Sequence, residues 1–407
     1  MYLTKEEERI LNGEQGPLLQ KAMEIMVRFG DAMRAERLVP IVYAHVSLTS
    51  TNIRGEHEFL KSFITEDVKV KVPTTCQTLS IDRERWTELG ISEDVVKMAM
   101  NIVEIFRRLG IRLTFTCTPY YLIEDLVKLG DHIASCESSA VTFFNSVIGA
   151  RTNRESGQSG LISALIGRTP EYGYHLTENR KGTVLVKVEA KLVDDADFSS
   201  LGFQVGKIVG PAVPVFDGIK NPTIDQLKIL ANSLALMGGI SLYHVVGVTP
   251  EAKTLKDAFQ GDVPEDRITI TNEDIERTYK ELTTGSGEVR TVVIGCPHLS
   301  LDELKRYATL LEGKKVKEGL KVWFFTSAGI FEIAKRMDII DKIEATGARV
   351  YRDTCPLLMD GLKKKPEMIA TNAVKQSYYG QSFIPGTGFY FGRTDKVIKA
   401  AFTGRWE

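Results

Sequence analysis

Three of the five cysteines in this chain share one local setting. "VVIGCPHLS" (292–300) puts Cys296 after an apolar run and directly before a proline. "TFTCTPYY" (114–121) puts Cys117 two residues ahead of Pro119, and "YRDTCPLL" (351–358) sets Cys355 directly before Pro356. Proline fixes φ and lacks an N–H, so each stretch ends a β-ladder and turns the chain away from its sheet. Thiolates presented at three such exits can hold an iron–sulfur cluster, with one iron left open to a substrate. The competing reading is that all three are small buried hydrophobes, since cysteine is often buried for no chemical reason. The pattern by itself leaves both readings open. Cys76 ("PTTCQT") and Cys136 ("IASCESS") lack the adjacent proline and read as ordinary buried cysteines. There is no CxxC pair, so any metal site must be assembled from distant segments.

The elements that carry these loops are most legible in the last third. "VRTVVIGC" (289–296), "LKVWFFTS" (320–327), "ARVYRDTC" (348–355) and "EMIATN" (367–372) read as strands. Between them, "SLDELKRYATLLEG" (300–313) and "GIFEIAKRMD" (329–338) read as helices, the first with Ser300 as N-cap and a terminal glycine. Strands alternating with helices imply a parallel sheet, and ligands of such sheets sit beyond the carboxyl ends of the strands. Cys296, Ser327, Cys355 and Asn372 all fall at such ends. Upstream, helices are expected over 1–35, 93–110, "IEDLVKLGD" (123–131), 138–149 and 223–239. Strands are expected at "RLVPIVYAHVS" (37–47), 111–117, 182–192 and "SLYHVVGV" (241–248). The polar stretch 250–290 reads as a connection between lobes, and "PGTGFYFG" (385–392) as a tight turn rather than a nucleotide site. The expected divisions are an N-terminal α/β region over 1–110, a central α/β domain over 111–285 and a C-terminal α/β domain over 286–407.

Composition narrows the function. The 407 residues carry 52 basic and 53 acidic side chains, for a net charge of −1. Such a balance gives no broad basic field for nucleic acid or an anionic membrane. The charged N-terminus, "MYLTKEEERILNGEQG", lacks the apolar core of a signal peptide, and no stretch reads as a bilayer span. The expected location is the cytoplasm, where a disulfide framework is not expected.

"TCTPYY", "ESSAVTFFNSVIGARTNRES", "IGCPHLSLDEL" and "RDTCP", in this order, resemble the aconitase X family over nearly the whole chain, closest to its separate large subunit. The resemblance implies an α/β fold with an aconitase-like multi-domain arrangement of mostly parallel sheets and flanking helices. It implies an iron–sulfur hydro-lyase with Cys117, Cys296 and Cys355 as ligands at the domain interface. A [4Fe–4S] cluster is expected, with a [2Fe–2S] centre as the alternative. The archaeal large-subunit form implies dehydration of (R)-5-phosphomevalonate to trans-anhydromevalonate 5-phosphate, a step of isoprenoid synthesis. The related alternative is dehydration of cis-3-hydroxy-L-proline. From the residues alone, a zinc-dependent hydrolase with three cysteine ligands stays open. The chain closes at "AAFTGRWE" with no room for the superfamily's small swivelling domain. A separate small subunit carrying the catalytic base is therefore expected as partner.

A substrate with a carboxylate and a phosphate needs cations and fixed dipoles. Arg151 and Arg154 in "GARTNRES" have the guanidinium fork that matches such oxyanions. Ser138, Ser139 and Asn145 lie on a helix whose N-terminus offers N–H groups and hydroxyls. Lys375, after a predicted strand at the same end of the sheet as the cysteines, and His45, after an apolar run, complete the substrate candidates. His298, two residues past Cys296, reads as outer support for a cluster or as a solvated loop histidine.

Overall fold

The computed structural model describes residues 1–48, 54–63, 67–264, 266–285, 287–357 and 367–406. Fourteen strands are described: β1 (Leu38–Pro40), β2 (Tyr43–Val46), β3 (Thr74–Cys76), β4 (Ile133–Ser135), β5 (Arg168–Pro170), β6 (Val184–Val188), β7 (Pro214–Asp217), β8 (His244–Val245), β9 (Asp266–Ile270), β10 (Thr291–Ile294), β11 (Lys321–Thr326), β12 (Arg349–Arg352), β13 (Met368–Thr371) and β14 (Gly388–Phe391). They form three sheets, ordered β3-β2-β4, β8-β7-β6-β9 and β12-β11-β10-β13-β14, plus the small pair β1-β5. All pairings inside the three sheets are parallel, and only β1-β5 is antiparallel.

The five-stranded sheet is buried on both faces, which explains its near-continuous apolar strands. Side chains alternate across a strand, so its residues divide between two cores. Val293, Trp323, Phe325, Tyr351, Ile369 and Phe389 join the core of a first lobe, whose other members run from Ile10 to Ile166, with Ile384. Val292, Ile294, Val322, Phe324, Val350, Ala370 and Tyr390 pack under the sheet's own helices, Leu301–Leu311, Ala328–Arg336 and Thr394–Thr403. The first lobe and the last sheet are thus one packed body. Helix starts follow the local chemistry: Ser300 and Glu303 form a reciprocal capping box, and the Ser327 side chain accepts the Ile330 N–H.

Several sequence expectations change. Residues 111–117 make one isolated bridge, at Arg112 to Thr75, rather than a strand. Thr114 Oγ1 instead accepts the Cys76 N–H at 3.2 Å, and Phe115 takes φ +38°, so a side chain replaces the ladder. No α-helix forms over 123–131. The expected strand 37–47 divides into β1 and β2, which join different sheets. The polar stretch 250–290 supplies β9 and helix Asn272–Leu282, and "PGTGFYFG" contains the edge strand β14. The expected helix over 138–149 is α-helical over Ser138–Phe143 and widens to a π-turn over Phe144–Ile148, ending at Gly149 in the left-handed region. At 241–248 the strand shrinks to the two residues of β8.

Candidate functional site

The last sheet grows outward from β10 through β11 to β12, then returns to the other side of β10 with β13 and β14. The crevice beyond the carboxyl ends of β10 and β13 is its topological switch point, where parallel sheets bind ligands. Cys296 follows β10 and Lys375 follows β13. Both line a cavity of about 160 Å³ there, together with Cys117, Cys355, Glu137 and Ser139. Gln77, Thr78, Asn232 and His298 add polar groups, and Leu357, Tyr379 and Phe383 an apolar wall.

Each sulfur is placed by a different device. Gly295 sets the exit of β10: its φ is +111°, and a Cβ there would lie 2.5 Å from the Phe325 carbonyl oxygen. Only glycine fits that approach. The Cys296–Pro297 bond is cis. Cys117 Sγ accepts the His298 N–H at 3.3 Å. The Cys355 loop is tied to the first lobe: Leu79 N–H donates to the Asp353 carbonyl at 2.7 Å, and Arg83 pairs with the Asp353 carboxylate at 3.1 Å. Burial pushes the Cys117 thiol up to about 12, reinforced by Glu137, and burial likewise pushes the Cys296 thiol well above its ordinary value, with Cys355 adding to it. Both shifts stay upward although the Lys375 ammonium nearby works against them.

Among the described lining residues one lysine supplies positive charge. Lys375 Nζ donates to Glu137 Oε1 at 3.5 Å and to Ser138 Oγ at 3.4 Å. Burial opposes its charge, but Glu137 and the three sulfurs outweigh burial and raise the ammonium above its ordinary value. Glu137 is itself buried. Burial works against its charge too, yet Lys375, the Ser139 hydroxyl at 2.6 Å and the Ala140 N–H at 2.6 Å hold it below the usual carboxylate range.

The donor set fits an iron–sulfur group. Three sulfurs from three loops face one cavity, one already takes an N–H as a thiolate would, and a buried ammonium sits beside them. Among the described residues no three His, Cys, Asp or Glu side chains converge as they would on a single ion. In a cluster each sulfur binds a different iron, so convergence on one point is not required.

Of the other candidates, Ser139 lines the cavity and Ser138 touches Lys375. Asn145 does not reach it. Its amide is consumed by the scaffold, donating to the Thr152 and Ser241 carbonyls at 2.9 and 2.8 Å and accepting from Thr152 N–H at 3.0 Å. Arg151 points away, donating to the His175 carbonyl at 2.8 Å and Thr177 Oγ1 at 2.9 Å. Arg154 is exposed, and its backbone bridges to Ser135 at the carboxyl end of β4. His45 lies outside the cavity lining and is fully buried. Its Nδ1 is 2.8 Å from Thr75 Oγ1, its Nε2 has no hydrogen-bond partner, and burial pushes its pKa down to about 4. Ser327 is spent on its cap, and Asn372 donates to Tyr307 Oη at 2.9 Å. Cys76 and Cys136 are buried, with their thiols on the Arg112 and Ser156 carbonyls at 3.5 and 3.1 Å.

The cavity also uses residues that were not candidates. Asn232 donates to the Cys296 carbonyl at 3.4 Å, and its Oδ1 has no hydrogen-bond partner. Its signal was a lone amide within "LKILANSLALM". Gln77 and Thr78, just past β3, carried no signal of that kind.

Comparison with known proteins identifies the family. Residues 1–178, 182–280 and 289–403 match the aconitase X first, second and third domains. The chain is 43% identical to the phosphomevalonate dehydratase large subunit of Methanosarcina mazei, over all of this chain and 98% of that one. It is 31% identical to the cis-3-hydroxy-L-proline dehydratase of Pseudomonas aeruginosa, over 98% of this chain and 70% of that one. The crystal structure of Thermococcus kodakaraensis aconitase X in its holo-form superposes with a TM-score of 0.89 at 40% identity, covering 98% of this chain and all of that one. With its three domains matched in order and its full length shared, the chain belongs to the aconitase X family.

Proposed function

We propose that this chain is the large subunit of an iron–sulfur hydro-lyase that dehydrates (R)-5-phosphomevalonate to trans-anhydromevalonate 5-phosphate in a mevalonate route to isoprenoids. The observation that carries the reading is the full-length likeness to a protein named for that reaction, at 43% identity against 31% for the hydroxyproline dehydratase. The relative's printed name, "large subunit", supports a separate small subunit as partner.

Dehydration must expel a tertiary hydroxyl and remove a proton α to a carboxylate, giving one water. When bound by Cys117, Cys296 and Cys355, an iron–sulfur cluster supplies Lewis-acid stabilisation to the departing hydroxyl. This chain supplies the surroundings. Lys375 offers positive charge to substrate oxyanions, and Glu137 and Ser138 fix the direction of its ammonium. Leu357, Tyr379 and Phe383 give the cavity an apolar wall beside those charges. Arg154 is an exposed guanidinium of the kind that suits a phosphate. The proton acceptor belongs to the small subunit.

The test is anaerobic co-expression with a candidate small subunit, then assay against phosphomevalonate and cis-3-hydroxy-L-proline. Turnover of the first alone supports the proposal, and turnover of the second alone overturns it. Stoichiometric zinc without iron or sulfide would point to a hydrolase instead.

A further inference from the structure

We infer that His298 is the positioning residue that locks the three cysteine loops to one another. The inference rests on the iron–sulfur reading above. His298 lies two residues past Cys296, across Pro297, so it belongs to the first ligand loop. Its backbone N–H donates to Cys117 Sγ at 3.3 Å. Its ring Nδ1 is 3.1 Å from Thr116 Oγ1, beside Cys117 in the chain. Its ring Nε2 is 2.8 Å from the carbonyl oxygen of Thr354, beside Cys355. One residue therefore touches the loop of every sulfur in the site.

The partners fix the tautomer. A carbonyl only accepts, so Nε2 carries the proton and donates to Thr354. Nδ1 is then the acceptor for the Thr116 hydroxyl. The ring is 1% exposed, so water does not compete for either nitrogen. The peptide is anchored from behind: the fully buried Lys228 donates to the His298 carbonyl at 3.3 Å while paired with Glu303. A rigid ring with both nitrogens engaged holds the loops of Cys117 and Cys355 at a set separation. A small apolar side chain would take the ring donor from the buried Thr354 carbonyl, leave the Thr116 hydroxyl only its contacts with Thr118, and release that separation.

Asparagine places its amide near the position of Nδ1, and glutamine near that of Nε2. His298→Asn therefore keeps an acceptor for Thr116, and His298→Gln a donor for Thr354. The complex with the small subunit is purified anaerobically in parent, Ala, Asn and Gln forms. Iron and sulfide per chain, visible absorption and the rate of bleaching by a chelator are read, with the melting temperature of the cluster-free chain measured separately. The expected result is bleaching about tenfold faster or more in the Ala form, the range for losing an outer contact to a metal ligand. The Asn and Gln forms fall between Ala and parent. Parent-like iron content and bleaching in the Ala form overturn the inference, as does a lowered melting temperature with unchanged bleaching. If the Ala form does not fold, parent-like bleaching in both amide forms overturns it. A parent complex that holds no iron or sulfide overturns the iron–sulfur reading itself, and this inference with it.

Discussion

Lys375 Nζ lies 3.5 Å from Glu137 Oε1, joining a cation that follows β13 to a carboxylate that caps a helix next to β4. Both side chains are largely buried, at 16% and 4% exposure. Removing one partner strands the other's charge, which costs about 3 kcal/mol for a buried pair. Lys375→Met and Glu137→Gln should each lower the unfolding free energy of the subunit by about that much in urea titrations. The double variant should lose less than the sum, because the two share one interaction. Activity should stay low in all three. Strict additivity in stability would show that the pair is not coupled.

The five cysteines should separate into two groups. Cys117→Ser, Cys296→Ser and Cys355→Ser should each deplete iron and sulfide and cut dehydration by about 100-fold or more, beyond the loss of an outer contact. Cys76→Ser and Cys136→Ser should keep both, since those thiols already satisfy backbone carbonyls away from the cavity. Iron analysis beside initial rates decides it, and a cluster-free Cys76 variant of normal stability would contradict the assignment.

The two arginines of "GARTNRES" should behave differently. Arg154→Ala should raise the KM for phosphomevalonate about tenfold with little change in kcat, as loss of uniform binding does. Arg151→Ala should act through stability, because its guanidinium holds the segment around His175 and Thr177. Steady-state kinetics and melting temperatures on both variants separate the roles. An unaltered KM in Arg154→Ala would remove it from the phosphate site.

Acid should destabilise the fold partly through His175. Burial, aided by His132, Arg180 and Arg151, pushes its pKa down to about 3. Its folded value lies below its unfolded value, so the unfolded chain binds the extra proton. The stabilisation is present above pH 6.5 and is lost as pH falls from there toward 3. One such group contributes a slope of about 1.4 kcal/mol per pH unit within that window. Unfolding of parent and His175→Phe between pH 4 and 7 should differ in slope by about that amount, with groups common to both cancelling. Parallel curves would show that His175 is not held neutral.

The cysteine loops were legible because proline and apolar runs are local signals, and the sheet's alternation follows from the strands themselves. Lys375 was placed on the correct side of the sheet from its position after β13. Its partner Glu137 lies 238 positions away in the chain, and only the packed fold brings the two together. The strand expected at 111–117 fails for a similar reason: its alternation is sound, but Thr114 bonds to Cys76 and replaces the ladder. Asn145 and Arg151 have residue types that suit a substrate, while in the fold their side chains bond the surrounding scaffold. Asn232 was missed because an amide inside a helix reads as incidental until the loop of Cys296 is seen beside it.

The three sulfurs lie at positions 117, 296 and 355, so their order in time differs from their closeness in space. A ribosome will have released the first long before the last emerges. No nascent chain ending ahead of β12 can present all three, because the Cys355 loop follows that strand. A group held by all three sulfurs therefore has to wait until the chain has passed Cys355.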